Sequence, residues 1–128
     1  MKRSIFGVAA LAIGGSLALT AMAHAGAQWW WPIYVDRTGR SASGALATVR
    51  SMPDSNSLIG CALFATSADC VASDASGMWV SCVTSDPAHV ATLRALNGDS
   101  MLAFTWDANG VCTSFQLENV SAYAPKAP

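Results

Sequence analysis

MWVSCVTSDPAHVATLRALNGDSMLAFTWDANGVCTSFQL, residues Met78 to Leu117, reads as a strand, a capped helix and a β-hairpin, with Cys82 and Cys112 near its two ends. Met78 to Thr84 is short, rich in Val and Trp, and bounded by Ser76-Gly77 and Ser85-Asp86-Pro87, as a strand requires. Asp86-Pro87 starts a helix: the carboxylate accepts from an orphan N–H of the first turn, and Pro gives up only a donor that had no partner. The helix is expected to run to about Leu96, with Asn97-Gly98 as a left-handed stop. Val90, Leu93 and Leu96 fall within one arc of roughly 120°, so this face packs on another layer. Arg94 near the C-terminal end complements the helix dipole.

Beyond the helix, Ser100–Trp106 and Val111–Leu117 are two strands joined by Asp107-Ala108-Asn109-Gly110, where Asn and Gly both tolerate positive φ. Leu102, Phe104 and Trp106 share one face; so do Val111, Thr113, Phe115 and Leu117. If the helix crosses over the sheet, the strand at Ser100 runs parallel to that at Met78, and the last strand slots antiparallel between them. Cys112 then meets Cys82, and a bridge there closes a loop of about 30 residues, worth roughly 3.7 kcal/mol in the chain-entropy model. The faces conflict, however. Cys112 alternates with Ser114 and Gln116, whereas Cys82 alternates with Val80 and Met78. A β-bulge near the turn reconciles them; without one, another pairing follows.

Residues 1–25 read as a cleaved secretory signal. Lys2 and Arg3 precede an apolar run from Ile5 to Leu19, and Ala23-His24-Ala25 is a small-x-small site with cleavage after Ala25. The run is short of the ~20 residues of a membrane span. With no Cys after the cleavage point and no twin-arginine pair, general secretion is expected, and the short Ala-rich leader has a bacterial character. Removing Lys2 and Arg3 leaves five basic residues (Arg37, Arg40, Arg50, Arg94 and Lys126) against eight acidic ones, a net charge near −3. No basic footprint remains, which excludes nucleic acid as a partner. All four Cys (Cys61, Cys70, Cys82, Cys112) lie in the exported part, which suits two disulfides in an oxidising compartment. Three connectivities are open, with 61–70 and 82–112 the expectation.

The mature chain begins GAQWWWP, and Trp29, Trp30 and Trp31 are its oddest feature. Three adjacent side chains cannot all point one way in an extended chain. Either some fold back over an apolar surface, or the triplet is an exposed patch for a partner protein, a glycan or a membrane interface, or the start is disordered. Asp36–Gly44, DRTGRSASG, reads as a flexible connection, so 26–44 is taken as a Trp-rich segment and linker. The domain proper is 45–121. Within it, Ala45–Ser51 is a weakly alternating strand, Leu58–Thr66 a buried strand and Cys70–Ser73 a short one. Asp74-Ala75-Ser76-Gly77 repeats the turn chemistry of Asp107–Gly110. Residues 122–128 are a Pro-containing tail.

The order of these signals (Gly60-Cys61, Val80-Ser81-Cys82-Val83-Thr84-Ser85-Asp86-Pro87, Asn97-Gly98-Asp99-Ser100, Phe104-Thr105-Trp106-Asp107, Gly110-Val111-Cys112-Thr113 and Tyr123-Ala124-Pro125) resembles a group of small exported bacterial proteins of uncharacterised role, with four Cys and a strand–helix–hairpin core. The likeness covers about residues 58–126. It implies a shared disulfide-bonded domain and brings no activity, cofactor or catalytic residue.

Chemistry is sparsely stocked. After cleavage the chain holds one His (His89), one Glu (Glu118) and one Lys (Lys126). General acid–base catalysis draws on such groups held close together. His89 on the helix either pairs with Asp86 or a nearby Ser, or sits at the edge of the core. Cys spacings lack the paired C-x₂-C grouping of structural zinc and of redox motifs. Asp69, Asp74, Asp86, Asp99 and Asp107 adjoin turns or caps rather than forming a calcium loop. No metal and no cofactor are expected. The expectation is therefore an α+β domain: an antiparallel-rich sheet of four to six strands, one helix on a face, and disulfide bonds. It is read as an exported, periplasmic or secreted, non-enzymatic binding or structural protein acting through Trp29–Trp31. The alternative is a small secreted hydrolase or hydrolase inhibitor with a site near His89.

Overall fold

The computed structural model describes residues 27–123; the leader with its Ala25 cleavage site, and the tail beyond Tyr123, lie outside the described residues. The chain is α+β, with seven strands in two antiparallel sheets. The first sheet has the order β1 (Tyr34–Asp36), β2 (Ser41–Ala45), β6 (Met101–Trp106) and β7 (Cys112–Glu118). The second has the order β3 (Leu58–Leu63), β4 (Ala68–Ser73) and β5 (Trp79–Thr84). Two helices, α1 (Leu46–Arg50) and α2 (Pro87–Leu93), and a terminal 3₁₀ turn at Ser121–Tyr123 complete the chain. Among the described residues no helix is long and apolar enough to cross a membrane.

The anticipated helix cap is present: Asp86 Oδ1 accepts from the N–H groups of Ala88 and His89 at 2.7 and 3.4 Å. Val90 and Leu93 are buried and Leu96 is half-buried, so the apolar arc does face inward. The exit differs from expectation. Among the described residues only Gly77, Gly110 and Arg40 adopt positive φ, so Asn97-Gly98 is no left-handed stop. The helix tightens instead into two 3₁₀-type bonds, Ala95 N–H to Thr92 O and Leu96 N–H to Leu93 O. Asn119, at the end of β7, then donates to Ala95 O. Arg94 reaches sideways to Ala65 O rather than along the helix.

The two Asp-x-x-Gly turns are built alike. Asp74 Oδ1 accepts from Ser76 N and Met78 N, and Asp107 Oδ1 accepts from Asn109 N and Val111 N, all between 2.8 and 3.0 Å. Gly77 and Gly110 close them at φ +81° and +76°. The β7 bulge is also present. Thr105 pairs with Ser114 but Trp106 pairs with Cys112, which leaves Thr113 as the extra residue. The Thr105 hydroxyl bonds to both Thr113 and Ser114, so these two consecutive side chains emerge on one side. Cys112 is thereby returned to the buried face, and the disulfides are Cys61–Cys70 and Cys82–Cys112, with no free cysteine.

Several sequence expectations are corrected. The linker read over 36–44 contains β2, an inner strand whose buried positions, Ala42 and Gly44, are too small to carry an apolar alternation. Space at Gly44 is tight: a Cβ would lie 3.1 Å from Val49 Cγ2 and 3.4 Å from Ile33 Cα. Ala45–Ser51 is the helix α1, not a strand. Leu58–Leu63 is an edge strand, half-buried to exposed, not a buried one. The helix is not a parallel crossover either. β5 and β6 belong to different sheets, and β7 meets β5 through one parallel bridge, Val83 with Val111.

One core joins both sheets. Ala42, Leu102 and Phe104 from the first meet Cys70, Ala72, Val80 and Cys82 from the second, with Leu93 of α2 fully buried among them. The far face of the first sheet is left to the Trp-rich segment, whose position decides the site described below.

Two stability outcomes follow. In urea unfolding, removing the Cys82–Cys112 bridge as a double Ser variant should cost about 1 kcal/mol more than removing Cys61–Cys70, because it closes the longer loop. Gly110→Ala has open space for its Cβ, so its loss of roughly 1 kcal/mol should come from backbone strain alone.

Candidate functional site

On the outer face of the first sheet the side chains run in three cross-strand rows. These are Ala45, Met101 and Glu118; Tyr34, Ser43, Ala103 and Gln116; and Asp36, Ser41, Thr105 and Ser114. Most are small or hydroxylated, so the sheet surface is low, and the aromatic side chains around it stand up as walls. Two recesses result. One, of about 530 Å³, lies between Trp29, Trp31, Tyr123 and Glu118, over Met101 and Ala103. The other, of about 440 Å³, lies beside Tyr34 over Ser41, Thr105 and Ser114. Ser43, Ala103 and Gln116 border both, so the two are continuous.

The Trp triplet is held by its backbone. Trp29 N–H donates to Ala122 O at 2.9 Å, and Trp31 O accepts from Ala45 N at 3.0 Å, where β2 ends. Alternation then puts Trp29 and Trp31 on the recess side and Trp30 on the other. The first two line the recess; Trp30 does not, and it is the most exposed of the three at 59 %. Trp29 and Trp31 remain 50 % and 45 % exposed, so they border the surface without being absorbed by it. Tyr123, 3 % exposed, meets Trp29 edge to face at 5.6 Å and 73°.

Glu118 sits at the foot of these walls. Its Oε2 accepts from the Tyr123 hydroxyl at 2.9 Å and its Oε1 from Gln116 Nε2 at 2.6 Å. Burial pushes the Tyr123 phenol above its ordinary value, and the hydrogen bond to Glu118 and that residue's negative charge push it the same way. Composition alone does not flag Glu118, Tyr34 or Tyr123 as site residues. The usable signal is register: Glu118 stands opposite Met101, next in line to Ala45, where the Trp segment docks.

His89 lies elsewhere, on α2. Its Nδ1 is 3.1 Å from Thr84 Oγ1, and its ring packs edge to face on Phe115 at 5.1 Å. Thr84 is only 2 % exposed and its hydroxyl also accepts from Asp86 N, so this set ties helix to strand. Asp86 spends its carboxylate on the cap. The remaining acidic residues divide. Asp74 and Asp107 hold turns as anticipated, Asp99 follows Asn97 in another, and Asp69 lies within β4. No cluster of three or more His, Cys, Asp or Glu with metal-binding geometry occurs among the described residues.

Because the folded phenol ionises later than an unfolded one, Tyr123 adds stability that is complete below about pH 10 and is lost as pH rises through its folded value. Thermal unfolding at increasing alkalinity should therefore show a fall in the native protein that Tyr123→Phe reduces.

The chain matches no family model, no curated protein and no solved structure.

Proposed function

We propose that the chain is a small exported binding protein, delivered by its signal to the periplasm or the medium, and that it works without catalysis through the outer face of the β1-β2-β6-β7 sheet. The observation that carries this reading is the placement of Trp29 and Trp31. They are anchored by backbone bonds, half-exposed, and set as walls over a low floor of Ser and Ala side chains. Exposed aromatic side chains that border a concave surface are a costly arrangement for a small domain unless a ligand covers them. Two disulfides within a domain of this size suit an oxidising compartment. The resemblance to small exported bacterial proteins agrees with that destination.

The binding reading is favoured over a hydrolase at His89 because the imidazole is engaged with a buried Thr and a Phe, and the Asp86 carboxylate near it is taken up by the helix cap. Trp29 and Trp31 carry the binding face in this reading, and Trp30 takes no part. A thermal-shift screen of soluble glycans, peptides and organic cations on the full exported chain tests it. A stabilising ligand should lose its effect in Trp29→Ala with Trp31→Ala and keep it in Trp30→Ala. Retention in the double variant, or no ligand at all, overturns the reading.

A further inference from the structure

We propose that the recess between Trp29, Trp31 and Tyr123 binds a small organic ammonium cation, quaternary or methylated; this rests on the binding reading above and names its ligand class. The argument begins with ring geometry. Trp29 and Trp31, half-exposed and two residues apart on an extended segment, present the open ring surface, and the buried Tyr123 braces Trp29 edge to face at 73°. A cation seated within ~6 Å of such ring faces is drawn by their quadrupoles, and indole is the strongest of the three aromatic types. Methylated ammonium groups suit this setting, because their bulk fills an apolar corner and they ask for no hydrogen bonds.

Charge decides between ligand classes. Glu118 is the acidic group at the recess, and both of its oxygens are held by neutral donors, the Gln116 amide and the Tyr123 hydroxyl. Those bonds orient the carboxylate without offsetting its charge. Among the described residues no Lys, Arg or His lines the recess. An anion would meet the Glu118 carboxylate there. A neutral sugar would gain stacking on the indoles but no ionic contribution, whereas a cation gains both. The walls are also preorganised by the Trp29–Ala122 and Ala45–Trp31 backbone bonds, so little ordering remains to oppose binding. A volume of about 530 Å³ is of small-molecule size.

The test needs no variant in its first arm. The full exported chain is titrated with choline and with its neutral isostere 3,3-dimethylbutan-1-ol, followed by Trp fluorescence and calorimetry. Choline should bind saturably and about tenfold or more tighter than the isostere, since shape is shared and only charge differs. In the second arm Glu118→Gln, which keeps the side chain's size and removes its charge, should weaken choline by about tenfold and leave the isostere unchanged. Trp29→Ala should weaken choline, and Trp30→Ala should not. Equal binding of the two compounds, or no binding of choline, overturns the cation assignment. If choline fails while a glycan or peptide still depends on Trp29 and Trp31, the cation assignment falls and the binding face stands. If no ligand depends on those two residues, both fall.

Discussion

Apart from the chain connections through α1 and α2, the bond between Cys82 and Cys112 is the one covalent cross-link between the two sheets. Beside it, Val83 bridges Val111 in parallel and Val83 N–H donates to Gly110 O at 3.0 Å. Arg37 adds a second tie from the β1–β2 turn, donating to Trp79 O at 2.8 Å. These links set where the end of β5 lies against the start of β7. The bulge at Thr113 is the condition for the disulfide. Without the extra residue Cys112 faces solvent, the bridge cannot close, and Phe115 and Leu117 lose their common side with it.

From that seam the rest follows in order. The inner faces of the two sheets are brought together over Leu93 and Phe104, and small residues at Ala42, Ala68 and Ala72 let them approach closely. A domain of roughly 100 residues has limited apolar area to bury, so cross-links carry a large share of its stability. Because the inner face of the first sheet is spent on this core, its outer face is covered only in part, by the Trp segment at one end. Tyr123 and Met101 form a second small cluster there, with Ala45.

Legibility in the sequence tracked the strength of local chemistry. Asp86-Pro87, the two Asp-x-x-Gly turns, the hairpin and the alternation of Val80 with Cys82 all have mechanisms that act over a few residues, and each is present, though Met78 lies outside the strand and is exposed. The conflict of faces at Cys112 pointed to a bulge before any coordinates. What stayed hidden had weak or ambiguous signals. β2 presents Ala and Gly inward and Ser outward, so composition made it a linker. α1 is five residues with no side-chain cap, and a short run such as Leu46–Val49 does not distinguish helix from strand. The partition into two sheets depends on which edges meet, which no local pattern records. For the site, the triplet drew notice, but the opposed placement of Trp30 and its neighbours, and the position of Glu118 beside them, follow only from strand register.

The sulfurs have a further property set by that register. Cys61, Cys70 and Cys82 are direct cross-strand neighbours, one beside the next across β3, β4 and β5. Cys61 is the least buried of the four residues. An external thiol that attacks its sulfur forms a mixed disulfide there and leaves a thiolate on Cys70, already adjacent to the next bridge. Attack by that thiolate on Cys82 joins two strands that are paired anyway and releases the thiolate of Cys112. Mild reductants therefore have a route by which one accessible encounter at the rim is relayed inward, unclasping the halves of the molecule while each keeps its own strand pairing.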